Sequence, residues 1–132
     1  MALVKMLALL AAVVLLAGCN GGTVDRHALT NDAATIDSIN CEGWLLARAV
    51  ARGRTTSYYA REQAEELHLQ AANFADALGR RATAQGLQRR VRAKARDAEQ
   101  LAGRLQRLHD HPTDRLVARV LARQLKRAGN CS

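Results

Sequence analysis

The chain has 132 residues, with 20 Lys and Arg against 12 Asp and Glu for a formal charge of +8; hydrophobic residues make up 48 % and aromatic ones only 3 %. The apolar content excludes a disordered tail and the length suits one core, while the scarcity of aromatic side chains argues against the stacking platforms that grip single-stranded nucleic acid. The basic excess favours anionic partners, although 17 of the 20 basic residues are Arg, a bias that coding-sequence base composition produces as readily as function does.

From the N-terminus, Lys5 supplies one early positive charge and Met6 to Leu15 form an uncharged apolar run. This is the pattern of a secretory signal peptide, and it is shorter than the roughly 20 apolar residues that a bilayer span needs. The run ends in Leu16-Ala17-Gly18-Cys19, which resembles the lipobox of bacterial lipoproteins: a Leu three residues before the cysteine, two small residues, then the cysteine itself. The resemblance covers residues 1–19 and implies diacylglycerol on the Cys19 sulfur, cleavage before Cys19 and acylation of the freed amine. One acyl chain binds a membrane reversibly and two hold it stably, so this pattern implies a permanent anchor. The residue after Cys19 is Asn20 rather than Asp, which in enteric bacteria is compatible with export to the outer membrane, on its periplasmic face.

Residues 1–18 then read as the lipoprotein signal, 19–30 as a flexible tether from the lipidated cysteine, and 31–132 as a helical domain. Without the signal the formal charge is +7, since only Lys5 is lost. With Cys19 assigned to lipid, Cys41 and Cys131 remain in an oxidising compartment, where two thiols pair. Free thiols and a bridge between two molecules are the alternatives.

A first helix is predicted over about 32–51, with caps among Thr30, Asn31 and Asp32, an apolar stripe through Ile36, Ile39, Gly43, Leu46 and Val50, and a stop at Gly53. Trp44 lies one turn beyond Cys41, as a core residue over the disulfide or as an exposed anchor for a partner. Thr55, Thr56 or Ser57 caps a second helix whose heptad-like stripe is Ala60, Ala64, Leu67, Ala71, Phe74 and Leu78. Gly79-Arg80-Arg81 and Gly86 bracket a break. A third helix from about 83 or 87 to 108 carries Ala84, Leu87, Val91, Ala98, Leu101 and Leu105 on one side and Arg89, Arg92, Arg96, Arg104 and Arg107 on the other. Between Arg80 and Arg96 there are seven basic residues and no acidic one. Pro112 is placed to start a fourth helix, with Val117, Val120, Leu121, Leu125 and Ala128 inward and a stop at Gly129-Asn130. The fold class is therefore all-α: a small four-helix bundle or a pair of helical hairpins with one disulfide.

No constellation for catalysis emerges. There is no G-x-S-x-G, no glycine-rich phosphate loop and no free nucleophilic cysteine once the three are assigned. Glu65 and Glu66 stand side by side without a second acid across a cleft, and His109 with His111 lacks the further ligands that a recognised metal spacing requires; His27 and His68 are the other histidines. The expectation is a protein that is not an enzyme, takes no small-molecule substrate, metal or cofactor beyond the lipid on Cys19, and binds membrane and protein rather than nucleic acid.

In layout the chain is similar to the helical pilotins of secretion systems, small disulfide-stabilised lipoproteins whose groove receives a helix of an outer-membrane pore subunit. It also resembles immunity or exclusion lipoproteins, which neutralise an incoming toxin, phage or conjugation component. The first likeness implies an apolar groove, for which Trp44, Tyr58 and Tyr59 are the candidate contacts; the second implies a charged face, for which Arg89, Arg92 and Arg96 are the candidates.

Overall fold

The computed structural model describes residues 22–132, so the expected signal peptide and the lipobox cysteine Cys19 lie outside the described residues. The described chain is all-helical: α1 (Arg26–Ala51), α2 (Ser57–Arg80), α3 (Gln88–Asp110) and α4 (Arg115–Gly129), with no strand among the described residues. Antiparallel α2 and α3 pack along their lengths as a hairpin. Helix α1 lies against both of them and α4 packs mainly on α1. The short connections make the order up-down-up-down.

Three of the four helices start at a side-chain cap, and α3 follows Leu87 without one. Thr56 caps α2 by accepting the Tyr59 N–H at 3.2 Å, as the run of hydroxyls predicts. Helix α4 starts at Arg115 rather than at Pro112, because Asp114 Oδ1 accepts from both Leu116 N–H (2.9 Å) and Val117 N–H (3.0 Å) and outcompetes proline as the initiator. Pro112 and Thr113 form the preceding turn.

The largest departure from the sequence reading is at the N-terminal side. Helix α1 begins at Arg26, six residues before the expected start, capped by Asp25, whose side chain accepts the Ala28 N–H at 2.8 Å. Thr30 and Thr35 turn their hydroxyls back to the carbonyls four residues earlier, at 2.9 and 3.0 Å, so they serve inside the helix instead of capping it. Nor are residues 24–30 tether. Val24 is fully buried, its N–H donates to the Ala82 carbonyl at 2.7 Å, and its carbonyl accepts the Ala84 N–H at 3.0 Å. Arg81 completes the clasp by donating to the Gly22 carbonyl and to Asp32 of α1, each at 3.4 Å. Two backbone hydrogen bonds and a buried β-branched side chain are enough to fix a segment that lacks any helical period.

The core is one cluster. Ile36, Leu101, Leu105, Leu108, Leu121 and Leu125 are its largest fully enclosed side chains, and the alanines of the α2 stripe, Ala60, Ala64 and Ala71, let α3 approach closely. Phe74 is only half-buried at its edge. The inward face of α4 is rotated from the expected one: Ala118, Leu121, Leu125 and Gly129 are buried, whereas Val120 and Ala128 are exposed. Small residues at 118 and 129 explain the choice, since α4 seats against α1 where its side chains are shortest.

Gly129 shows how tight that seat is. A Cβ there would lie 2.6 Å from Asn40 Cβ and 3.0 Å from the Asp37 carbonyl oxygen, both short and fixed to α1. The left-handed residue that ends the helix is Asn130 (φ 51°), so Gly129 is needed for contact rather than for its backbone angle. Gly129→Ala should therefore destabilise the fold by about 1 to 3 kcal/mol, the usual range for overpacking a rigid contact. Urea denaturation checks this; a midpoint equal to or above wild type would show that α4 can shift without cost.

Cys41 and Cys131 are bonded, with Cα atoms 5.5 Å apart, tying the middle of α1 to the residues just after α4.

Candidate functional site

The bundle has two distinct ends. One holds the chain entry at Gly22–Asp25, the 81–87 connection and the start of α3. The other holds the α1–α2 turn, the 111–114 turn and the start of α4. Helix α1 runs between them, and its 26 residues correspond to about 39 Å at 1.5 Å per residue.

At the chain-entry end, Arg89, Arg92 and Arg96 join Gly86, Gln88 and Arg90 around an open groove of about 630 Å³. None of these four arginines forms an ion pair among the described residues, whereas the other basic groups of the 80–96 stretch do: Arg80 with Asp76, Arg81 with Asp32 and Lys94 with Asp97. The stripe is thus reduced to four free guanidiniums in the first three turns of α3.

Trp44 and the two tyrosines lie elsewhere. Trp44 is half-buried against the core, with the Arg48 guanidinium 5.5 Å and the Lys126 ammonium 5.2 Å from its ring centroid. Two cations over one indole are held by its quadrupole. Tyr58 and Tyr59, in the first turn of α2, are 74 % and 55 % exposed, and neither lines the grooves described here. The candidate partner-binding residues therefore do not form one site. Arg89, Arg92 and Arg96 sit at one end of the bundle, while Tyr58, Tyr59 and Trp44 sit toward the other.

Beside Trp44 is a second basic concavity that the sequence reading missed. Arg48, Arg52 and Arg54, from the end of α1 and the turn after it, meet Arg115, Arg119 and Arg123 of α4 around a groove of about 660 Å³. Ala51 and Ala122 complete its lining, with no carboxylate, and none of the six arginines forms an ion pair among the described residues.

The histidines are accounted for by local contacts. His68 Nδ1 hydrogen-bonds the Ala102 carbonyl at 2.9 Å, linking α2 to α3. His109 bonds Asp110 at 3.0 Å and approaches Glu65 at 3.8 Å. The hydrogen bond from His109, then that from Gln106, holds the Asp110 carboxyl below the ordinary carboxylate range. No group of three potential metal ligands converges among the described residues.

No family model, curated protein or solved structure matches the chain. The functional reading consequently stands on geometry. Among the described residues no helix is long and apolar enough to cross a membrane. The chemistry on offer is electrostatic: arginine-lined concavities stand at opposite ends, one beside the chain entry and one remote from it, and a third, with Arg104, Arg123 and Arg127, lies along α4.

Proposed function

We propose that this protein is a lipid-anchored lipoprotein of the cell envelope, held on the periplasmic face of the outer membrane, whose helical domain binds another envelope protein. The observation that carries the lipoprotein reading is Leu16-Ala17-Gly18-Cys19, and the clasp at Val24 fixes which end of the bundle such an anchor would hold. Cys19 precedes Val24 by five residues, which span at most about 18 Å when fully extended. A lipid on Cys19 would hold the chain-entry end of the bundle next to the headgroups. Arg89, Arg90, Arg92 and Arg96 would then lie beside an anionic surface, where each basic residue adds attraction within a Debye length. The opposite end would project away from the bilayer and remain free for a partner.

Of the two forms that partner binding takes in similar lipoproteins, the geometry favours recognition by a charged face, the mode of the immunity and exclusion type. Pilotin-type capture of an amphipathic helix calls for an apolar groove, whereas the concavities at both ends of this bundle are lined largely by arginine, and the groove of about 740 Å³ between α2 and α3 mixes small residues with His68, Asp76, Arg80 and Glu99.

Cys19→Ala tests the anchor. The substituted protein should move from the membrane to the soluble fraction after cell lysis, while the wild type sediments with membranes; complete sedimentation of both would overturn lipid anchoring. Periplasmic cross-linking of the wild type in intact cells should recover an envelope protein, and recovery of lipoprotein-sorting factors alone would overturn binding to a resident envelope partner.

A further inference from the structure

We propose that the groove between the end of α1 and the first half of α4 is the docking site for an acidic segment of a protein partner, whose carboxylates pair with Arg48, Arg52, Arg54, Arg115, Arg119 and Arg123. The inference deepens the function proposed above and rests on it for the compartment. A domain outside the cytoplasm meets acidic proteins rather than nucleic acid.

Six guanidiniums converging without a carboxylate are mutually repulsive, and the fold leaves that repulsion unrelieved. The nearest acid in sequence, Asp114, is engaged by the Leu116 and Val117 amides at the start of α4. Among the described residues the only arginines with ion-pair partners are Arg80 and Arg81, which pair with Asp76 and Asp32, so what sets these six arginines apart is their convergence on one concavity without a carboxylate. Two of the six are also held in place. Arg48 lies over the Trp44 ring, and the Arg115 guanidinium lies so close over the α1–α2 turn that a Cβ at Gly53 (φ +64°) would come within 2.6 Å of it. Planar guanidiniums fixed in this way are suited to bidentate pairing with carboxylates, and they lose little entropy on binding.

Three observations select a protein segment over a lipid headgroup or a free anion. The groove, at about 660 Å³, is much larger than one anion needs. It lies roughly 35 to 40 Å along α1 from the chain entry, too far for the headgroups beside the anchor. Five of the six large apolar side chains exposed on the bundle lie toward this end: Tyr58, Tyr59 and Leu116 occupy the first turns of α2 and α4, with Val120 one turn further and Leu45 in the last two turns of α1, while Leu69 lies midway along α2. Tyr and Arg together form the anchors of protein interfaces.

The test uses the full chain in a non-ionic detergent and, as probe, a ten-residue peptide of alternating Asp and Glu. Binding is read through the fluorescence of Trp44, the sole tryptophan, and through the anisotropy of the labelled peptide. Arg52→Gln/Arg119→Gln/Arg123→Gln should weaken binding at least tenfold. Arg89→Gln/Arg92→Gln/Arg96→Gln removes the same charge from the other end and should change binding less than threefold. Equal losses in the two variants would overturn the proposal, because net charge alone would then explain the affinity. Tighter, groove-dependent binding of inorganic phosphate or of vesicles rich in anionic phospholipid would also overturn it. If the groove triple variant fails to fold, Arg119→Gln alone must still weaken the peptide measurably more than Arg92→Gln does. Cys19→Ala protein should bind the peptide like wild type, so failure of the anchor and failure of the groove are read separately.

Discussion

Leu105→Ala should lower the unfolding free energy by about 2 to 5 kcal/mol, the range for emptying a fully enclosed leucine site. Leu105 has no solvent exposure, and it projects from α3 into the notch left by Gly43 on α1. A Cβ at Gly43 would stand 2.9 Å from Leu105 Cδ2 and 3.4 Å from Leu125 Cδ1, so α1, α3 and α4 all meet at this point. The geometry predicts a sign reversal. In the wild type, Gly43→Ala gains about 1 kcal/mol of helix propensity but incurs overpacking of about 1 to 3 kcal/mol, for a neutral or unfavourable sum. In the Leu105→Ala background the clash is gone and the new methyl partly fills the void, so the same substitution should stabilise. Urea denaturation of the four proteins gives the coupling energy. An identical effect of Gly43→Ala in both backgrounds would show that the notch is not where the hairpin locks onto α1.

The second large effect concerns the disulfide. Its closed loop spans 90 residues, for which chain entropy gives roughly 4.6 kcal/mol, against about 2 to 4 kcal/mol usually measured. Cys41→Ser should therefore remove about 2 to 4 kcal/mol, a large part of the roughly 5 to 15 kcal/mol that holds a typical domain together. The loss should fall on α4, which is the shortest helix and packs chiefly on α1. Reductant should lower wild-type stability to that of Cys41→Ser and leave the variant unchanged. Equal wild-type stability with and without reductant would exclude a structural role for the bridge.

Much of the fold could be read from the residues. Spacings of three and four in Ile36–Val50, in Ala60–Leu78 and in Val91–Leu105 mark the faces that are buried, and the expected pairing of Cys41 with Cys131 is the bridge that is formed. Two parts could not be read, for different reasons. Val24 carries no periodic signal, because its burial depends on the 82–84 connection, 59 residues away, offering its backbone. In α4, hydrophobicity alone pointed to Val120 and Ala128, but close approach to α1 selected Ala118 and Gly129.

The six-arginine groove is an intermediate case. Outward placement of Arg115, Arg119 and Arg123 was legible from the helical period, but their meeting with Arg48, Arg52 and Arg54 depends on how α1 and α4 are aligned. The disulfide contains that information. With Cys41 fixed beside Cys131 and the helices antiparallel, a step forward in α1 matches a step back in α4, which brings Arg52 level with the turn around Arg119. Treating the bridge as a register mark as well as a staple would have found the groove.

The same bridge has a mechanical meaning. A load applied between an anchor near the N-terminus and a partner gripping the far end enters the domain through α1. The first elements to yield would be the two backbone hydrogen bonds at Val24 and then the turns of α1 before Cys41. At Cys41 the covalent path divides, one branch running on along α1 and the other crossing to Cys131 and back along α4. Tension therefore reaches the arginine groove from both of its walls at once, and everything between the two cysteines can be stretched no further than a closed ring allows.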